Sequence, residues 1–225
     1  MPAFNALPPV IAIDGPSASG KGTVAARVAR SLGFHYLDSG ALYRLVALTA
    51  LDAGTDLDNE QALAAVAEGM EVVFGEERVS LGGRDVTQQL RSEEAGVAAS
   101  RVAAQPRVRE ALLRRQRALR TPPGLVADGR DMGSIVFPDA PLKVFLTAGV
   151  ETRAQRRYKQ LMEKGMYDKM PDVVEELRRR DERDSSRPVA PLKHYPDAIF
   201  LDTTGLTADQ AVDRILGWWR EKARG

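Results

Sequence analysis

The sequence predicts an α/β fold built on a five-stranded parallel sheet flanked by helices. Short apolar, β-prone runs alternate along the chain with longer amphipathic segments, and strands separated by helices form parallel sheets with right-handed crossovers. The length of 225 residues suits one such core plus an insertion. The predicted core strands are residues 10–14, 34–38, 125–128, 142–146 and 198–202.

Composition excludes several classes of protein. Hydrophobic residues make up 44% of the chain, charged residues 28%, and the net charge is +1, so any basic site must be local. Cysteine is absent, which excludes a disulfide framework and thiolate metal sites. The first residues do not resemble a secretion signal, and no apolar stretch is long enough to cross a bilayer. We expect a cytosolic, monomeric protein without nucleic-acid or membrane partners.

The first strand, residues 10–14 (VIAID), leads directly into residues 15–23 (GPSASGKGT). A strand, a glycine-punctuated loop ending in Gly-Lys and an alanine-rich helix form the context of a P-loop, whose backbone N–H groups surround phosphate oxygens. The alternative is an ordinary glycine-rich turn before a helix. The predicted nucleotide-binding residues are Gly15, Pro16, Ser17, Ala18, Ser19, Gly20, Lys21, Gly22 and Thr23.

Lys21 is the predicted catalytic cation of this loop, because a mobile ammonium can follow charge between the β- and γ-phosphates. Gly22 stands where Ser or Thr usually follows the lysine, and the hydroxyl comes one position later, at Thr23. Thr23 is therefore only a secondary candidate for a magnesium ligand.

A second group of candidates follows the strand at residues 34–38. Ser39 opens a predicted helix, where it is either a simple N-cap or a ligand-binding hydroxyl. Tyr43 and Arg44 follow about one turn later, beside the carboxyl ends of the strands, where open α/β sheets bind ligands.

The periodicity changes after a predicted helix at residues 57–69. Short runs at 71–74, 78–81 and 84–86 predict a β meander, with Gly82-Gly83 as a hairpin signal. The meander indicates an inserted subdomain, and both a decorative surface role and a substrate-specific role are open. Helices are then predicted at 93–104 and 107–120.

The strand at residues 125–128 ends in Gly129-Arg130-Asp131-Met132-Gly133. An arginine between two aspartates at this edge of the sheet indicates ligand binding. Beyond the next strand, predicted helices at 151–164 and 172–186 are joined by Gly165-Met166-Tyr167 and form a hairpin that could close over phosphates as a lid. Arg180, Asp184 and Arg187 share one face there, and a solvated, self-paired face is the alternative.

The remaining chain carries no further site candidate. A helix is predicted at 208–222, with Trp218 and Trp219 as packing anchors, and His35 and His194 are interpreted as structural.

Two observations favour phosphoryl transfer onto a phosphate. Positive charge beyond Lys21 is spread over several segments, more than one triphosphate requires, and no His–Asp pair stands out as a base. A phosphate acceptor is already ionised and needs positioning and charge neutralisation rather than a base. The arginines concerned are Arg44, Arg109, Arg130, Arg153, Arg157, Arg180 and Arg187.

Five segments together resemble the bacterial cytidylate kinases among the nucleoside-monophosphate kinases. They are residues 15–23, 37–44 (LDSGALYR), 106–109 (PRVR), 128–133 (DGRDMG) and 180–187 (RDERDSSR), the last followed by 189–192 (VAPL). The resemblance implies a P-loop core (1–38, 107–150 and 188–225), a monophosphate-binding domain (39–106, with the β insertion near 70–89) and an arginine-rich lid (151–187).

The resemblance also implies a reaction: ATP with Mg²⁺ donates its γ-phosphoryl group to CMP or dCMP. Ser39, Arg44 and Arg130 would hold the acceptor phosphate, with Tyr43 beside them. By the same resemblance, Ser100, Arg109 and Asp131 would recognise cytosine, Arg180, Asp184 and Arg187 would serve the sugar and phosphates, and Arg153 and Arg157 would bind ATP from the lid. The implied catalytic residues are Lys21, Arg130, Arg157 and Arg187.

Two other functions remain open from the sequence. One is a P-loop kinase for a different small acceptor, which would need a positioned base if that acceptor were a hydroxyl. The other is a non-catalytic module that binds ATP as a sensor or switch, which would leave the arginines outside the P-loop unexplained.

Overall fold

The structure is a computed structural model that describes residues 7–75, 78–163, 165 and 169–224. The chain divides into two compact units, one formed by Met1–Leu37 with Leu119–Gly225 and the other by Asp38–Ala118, within those described ranges. The strands are β1 Val10–Asp14, β2 His35–Asp38, β3 Val72–Phe74, β4 Val79–Leu81, β5 Arg84–Asp85, β6 Leu125–Gly129, β7 Leu142–Thr147 and β8 Ile199–Asp202. The helices are α1 Lys21–Leu32, α2 Ser39–Asp52, α3 Glu60–Gly69, α4 Thr87–Leu90, α5 Glu93–Val102, α6 Pro106–Ala118, α7 Val150–Glu163, α8 Met170–Ser186 and α9 Ala208–Lys222.

The first unit contains the predicted five-stranded sheet, in the order β2-β6-β1-β7-β8. β1 pairs in parallel with β6 and β7, and β7 pairs in parallel with β8, which confirms the predicted parallel architecture. Because β1 lies between two strands that come much later in the chain, its carboxyl end is the place where this class of sheet binds ligands. The P-loop sequence begins there.

The core of this unit explains why β1 is a continuous apolar run. All five residues of β1 are buried, as expected for a central strand covered on both faces. Val28 of α1 and Ile215 and Trp219 of α9 pack against Ile11 and Ile13 in one hydrophobic cluster. Trp219 thus has the packing role predicted for it.

Helices α7 and α8 form a hairpin in the first unit. They pack through Ala154 and Leu161 on α7 and Val173 and Leu177 on α8. Ala18 of the P-loop packs against the same cluster. The predicted linker of this hairpin, Gly165-Met166-Tyr167, lies outside the described residues except for Gly165.

The second unit contains helices α2 to α6 and the predicted meander. β4 pairs antiparallel with β3 and β5, and Leu81 is opposite Arg84 across the Gly82-Gly83 turn. The predicted turn at residues 75–77 lies outside the described residues beyond Gly75. Helix α6 belongs entirely to this unit, whereas the resemblance had assigned residues from 107 onward to the core.

The structure differs locally from the sequence-based expectations. The helix expected from residue 57 begins at Glu60, because the Asn59 side chain accepts a hydrogen bond from the Ala62 N–H and caps it there. Val86, expected in the third meander strand, instead precedes the short helix α4. After β6 the chain forms an unpredicted π-helical turn, Met132–Val136.

Among the described residues, no helix combines the length and apolar composition needed to cross a membrane.

Candidate active site

The P-loop follows β1 with backbone conformations that few residue types allow. A Cβ on Gly15 would lie 1.9 Å from the Leu146 carbonyl oxygen, so a side chain at this position would clash with β7. Ala18 and Gly20 have positive φ angles of 57° and 90°, and α1 begins immediately afterwards. The positive end of the α1 dipole therefore adjoins the loop, an arrangement suited to binding phosphate.

Lys21 is buried at the start of α1. Its Nζ donates a hydrogen bond to the Pro16 carbonyl oxygen at 3.3 Å and lies 3.8 Å from Oδ1 of Asp128. The Tyr36 hydroxyl donates to Oδ2 of the same carboxylate at 3.2 Å. Asp128, which the sequence analysis left without a role, thus holds an ion pair with the P-loop lysine.

Arg130 connects the end of β6 with the P-loop and α8. Its Nη2 donates to Ser17 Oγ at 2.8 Å, and its Nε donates to Asp184 Oδ2 at 2.8 Å. Burial alone would lower the pKa of the Arg130 guanidinium, but the Asp184 carboxylate, together with the charges of Asp128 and Asp14, raises the pKa above its ordinary value. Arg130 therefore remains fully charged.

Asp184 has the complementary environment. Burial would raise the pKa of its carboxyl group, yet the charge and hydrogen bond of Arg130, with smaller contributions from Arg180 and Arg187, hold the pKa below its ordinary value. Arg187 is buried, and its Nε donates to the Ala190 carbonyl oxygen at 2.8 Å. The structure thus places Arg130, Arg180, Asp184 and Arg187 in one electrostatic cluster.

Arg153 of α7 joins the P-loop to α8. Its guanidinium donates to the Ala148 carbonyl oxygen at 2.9 Å, to the Ser17 carbonyl oxygen at 3.1 Å and to Asp181 Oδ2 at 2.6 Å. Arg157, the other predicted lid cation, is half-buried one turn further along α7. Among the described residues, Arg153 is the member of this pair that donates a hydrogen bond to the P-loop, at the Ser17 carbonyl oxygen.

Arg156 is a P-loop contact that the sequence analysis did not assign. Its guanidinium donates to the Ser19 carbonyl oxygen at 2.9 Å and to the Thr203 carbonyl oxygen at 2.7 Å. Burial lowers its pKa. The regular spacing of arginines on α7 made Arg156 as plausible as its neighbours, but only the packing of α7 on the P-loop selects it.

Asp131, predicted to bind the acceptor base, is buried directly after Arg130. It precedes the π-helical turn, whose first N–H groups, those of Met132 and Gly133, donate to the carboxylate of Asp14. Asp14 was also missed, although a carboxylate ending an otherwise apolar buried strand was a signal that could have revealed it.

The candidates of the second unit begin at helix α2. The helix cap is Asp38, whose Oδ1 accepts from the Ala41 N–H at 3.1 Å, so Ser39 lies in the first turn and is not the N-cap. Ser39 is buried. Arg44 Nη1 lies 3.8 Å from Asp38 Oδ2. The alternative that Ser39 is a simple N-cap is therefore wrong.

Arg109 and Tyr43 contact one another in the same unit. The Arg109 guanidinium carbon lies 5.8 Å from the centre of the Tyr43 ring, a cation–π distance, and its Nη1 donates to the Ala103 carbonyl oxygen at 3.2 Å. Ser100 Oγ is buried without a hydrogen-bond partner among the described residues. An unpaired buried hydroxyl is costly and therefore indicates a position for a ligand atom.

The histidines and the acidic groups do not form metal centres in the described ranges. His35 Nε2 lies 2.9 Å from the Pro122 carbonyl oxygen and His194 Nε2 lies 2.7 Å from that of Ala198, consistent with structural roles. No group of three or more His, Asp or Glu residues in the described part of the chain is arranged to hold a metal ion by itself.

Comparison with known proteins decides between the possible families. Residues 11–221 match the family described as "Cytidylate kinase". The chain belongs to this family. Curated cytidylate kinases from Chromobacterium violaceum and Bordetella bronchiseptica are each 58% identical, over 95% of this chain and 96% of the relative in the first case and over 94% and 95% in the second. A cytidylate kinase from Nitrosomonas eutropha is 54% identical over 96% of this chain and 97% of its own length.

A solved structure supports the fold of this cytidylate kinase family member and nothing further. An uncharacterized protein from Eubacterium ventriosum aligns with a TM-score of 0.51 at 12% identity, covering 93% of this chain and 97% of that one. The family membership confirms the resemblance on which the expected residue roles depend, while the roles themselves remain predictions.

Proposed function

We propose that this protein transfers the γ-phosphoryl group of ATP to CMP or dCMP, giving ADP and CDP or dCDP. The observation that carries the proposal is membership of the cytidylate kinase family over nearly the whole chain. The P-loop and the cluster of arginines in the first unit supply the positive charge and the hydrogen-bond donors that such a reaction requires.

The donor is proposed to bind at the P-loop. The β- and γ-phosphates would accept hydrogen bonds from the loop N–H groups at the α1 N-terminus, and Lys21 would neutralise charge on them. Arg153 supports the loop through the Ser17 carbonyl oxygen, and Arg153 and Arg157 are the proposed lid contacts to ATP.

The acceptor phosphate is proposed to bind Ser39, Arg44 and Arg130, with Tyr43 beside them. The N-cap of α2 is Asp38, so the Ser39 hydroxyl does not cap the helix. Arg130 is fully charged, as a phosphate ligand should be. Arg180, Asp184 and Arg187 would bind the sugar and the phosphates.

In the transfer step an ionised oxygen of the acceptor phosphate attacks the γ-phosphorus of ATP. A new P–O bond forms to the acceptor while the bond from the γ-phosphorus to the β–γ bridging oxygen breaks, and that oxygen leaves with ADP. No general base is needed, since the acceptor oxygen carries no proton. Lys21, Arg130, Arg157 and Arg187 are proposed to stabilise the charge that develops between the two nucleotides.

Cytosine recognition is proposed for Ser100, Arg109 and Asp131. A carboxylate at Asp131 accepts a hydrogen bond from the exocyclic amine of cytosine, whereas uracil presents an acceptor oxygen there. The unpartnered Ser100 hydroxyl supports a polar ligand in the second unit.

Magnesium is proposed to enter with ATP. Mg²⁺ takes oxygen ligands, keeps several waters and is held mainly by substrate phosphates, and the exposed Thr23 hydroxyl in the first turn of α1 is of the right chemistry to assist. Bound to ATP, the ion would neutralise the phosphate oxygens during transfer.

A cytosolic location and a monomeric state are also proposed, on the basis of the sequence alone. Light scattering coupled to gel filtration tests the oligomeric state.

The experiment that tests the reaction measures ADP release with ATP and Mg²⁺ in parallel wells containing CMP, dCMP, UMP, AMP, GMP or no acceptor. We expect turnover mainly with CMP and dCMP. ADP release that does not depend on an acceptor would instead indicate an ATPase, and nucleotide binding without turnover would indicate a sensor. Turnover confined to another acceptor would assign the protein to a different kinase activity.

A further inference from the structure

Asp14 is the last residue of the central strand β1 and is buried directly before the P-loop. Both oxygens of its carboxylate accept backbone hydrogen bonds from the segment that follows β6. Oδ1 accepts from the Met132 N–H at 2.8 Å, and Oδ2 accepts from the Gly133 N–H at 2.9 Å.

These two N–H groups open the π-helical turn Met132–Val136, and the first N–H groups of any helical turn lack partners within it. The residue in the capping position is Asp131, and its own side chain makes no capping hydrogen bond. Asp14 therefore caps this turn from another strand.

The register of the sheet explains how Asp14 reaches the turn. Asp14 is paired with Gly129 in the parallel ladder of β1 and β6. The chain leaving Gly129 passes through Arg130 and Asp131 before it returns to the Asp14 carboxylate at Met132 and Gly133. Arg130 and Asp131, the two residues assigned to the acceptor, therefore lie between two fixed points. Gly129 before them pairs with Asp14 in the sheet, and Met132 and Gly133 after them donate hydrogen bonds to the Asp14 carboxylate.

We propose that Asp14 is a positioning residue for the acceptor nucleotide: its carboxylate holds the Arg130–Asp131 segment at the carboxyl end of β1. This proposal rests on the proposed function, because it assigns Asp14 to the presentation of two side chains that would bind the acceptor. Asp14 itself touches neither substrate in this assignment.

Among the described residues, the charges of Asp128, Asp131 and Arg130 act on Asp14, and all three lie on β6 or the segment after it. Their mixture of signs means that removing the Asp14 charge also changes the local field. A neutral amide of the same shape removes the charge and also breaks one of the two hydrogen bonds of the anchor.

The test uses Asp14→Asn, which keeps the shape and one acceptor oxygen but presents an amide donor to the other N–H. Steady-state kinetics are measured with CMP and UMP as varied acceptors and, separately, with ATP varied. We expect kcat/KM for CMP to fall about 10- to 100-fold, the loss typical of an unsatisfied buried hydrogen bond, and the CMP-to-UMP preference to fall with it. The KM for ATP should stay within about twofold, since the P-loop amides are unchanged.

Asp209→Asn is the matched control, because that carboxylate is exposed and, among the described residues, forms an ion pair with Arg27 at the surface. If Asp14 has a purely structural role, the active fraction of the variant keeps the parental ratio of kcat/KM for CMP over UMP, or kcat/KM falls equally for CMP and for ATP. Either result overturns the proposal. If Asp14→Asn does not fold, Asp14→Ser, which retains one acceptor and introduces no bulk, is put through the same measurements and judged by the same criteria.

Hydrogen exchange separates this proposal from the proposed function. Amide exchange at Met132 and Gly133 should accelerate at least tenfold in Asp14→Asn relative to Asp209→Asn. If these amides exchange faster in Asp14→Asn but the parent shows no CMP-dependent turnover, the proposed function is rejected and the anchoring role of Asp14 is upheld. If their exchange is unchanged, the anchoring role is overturned whatever the activity.

Discussion

The Arg130 guanidinium and the Asp184 carboxylate form a hydrogen-bonded ion pair, with Nε and Oδ2 2.8 Å apart. The same guanidinium contacts Ser17 of the P-loop through Nη2. One planar side chain therefore connects the end of β6, the P-loop and α8. A lysine in its place could not make these contacts together, because its ammonium is a point charge without a fork of donors.

Arg130→Lys should therefore lower kcat with CMP by about 10²- to 10³-fold, the usual loss when one group that stabilises transition-state charge is removed. The charge is kept, so the result reports geometry rather than net charge. Arg220→Lys, on the exposed face of α9, is the control and should retain parental kcat. Equal kcat values for the two variants would remove Arg130 from the transfer step.

Lys21→Ala should nearly abolish turnover, by about 10²-fold or more, because the P-loop loses its mobile cation. Circular dichroism and the unfolding midpoint should show an intact fold, and Lys222→Ala, exposed on α9, should be fully active. An active Lys21→Ala protein would contradict the assignment of the P-loop to the donor.

Asp131→Asn should erode the preference for CMP over UMP by about 10- to 100-fold in kcat/KM, since an amide can donate to uracil where a carboxylate cannot. The ratio is measured by competing both acceptors in one reaction. Asp213→Asn, exposed on α9, should keep the parental ratio. An unchanged ratio in Asp131→Asn would exclude this residue from base recognition.

Ser39→Ala should raise KM for CMP without the fall in the free energy of unfolding that loss of a helix cap causes, because Asp38 and not Ser39 caps α2. Asp38→Ala is the informative comparison, and should cost about 0.5–2 kcal/mol through loss of the cap. Denaturant unfolding and acceptor-dependent kinetics measure both effects. A destabilised Ser39→Ala protein with parental KM would reverse the two assignments.

The pH dependence of stability should carry a contribution from Asp14. Burial is the main cause that raises the pKa of its carboxyl group from 3.8 to about 7, against the lowering effect of the two backbone hydrogen bonds. Between these values the folded protein holds a proton that the unfolded chain has lost. Folding stability due to Asp14 is therefore present at low pH and is lost as pH rises toward 7, by up to about 1.4 kcal/mol per pH unit.

Denaturant unfolding of the parent and of Asp14→Asn at several pH values from 5 to 9 measures this contribution. The parent's free energy of unfolding relative to the variant should decrease between pH 5 and 7 and become constant above pH 8. A difference that is constant over the whole range would show that Asp14 titrates normally.

Local sequence was sufficient for the elements that depend on spacing along the chain. The apolar run of β1, the loop from Gly15 to Lys21 and the Gly82-Gly83 hairpin each follow from backbone preferences of adjacent residues, and all lie where the sequence predicts them. The α/β class follows in the same way, since the periodicity of apolar residues reports which faces are buried.

The partners of the charged side chains were decided by tertiary structure alone. Asp14 is 118 residues from Met132, Arg156 is 137 residues from Ser19, and Arg130 is 54 residues from Asp184. Along α7, Arg153, Arg156 and Arg157 are equivalent in sequence terms, yet their surroundings differ. Spacing along the chain sets which side of a helix or strand a residue occupies, whereas strand register and helix docking set which distant group it meets, and those depend on the packing of the whole core.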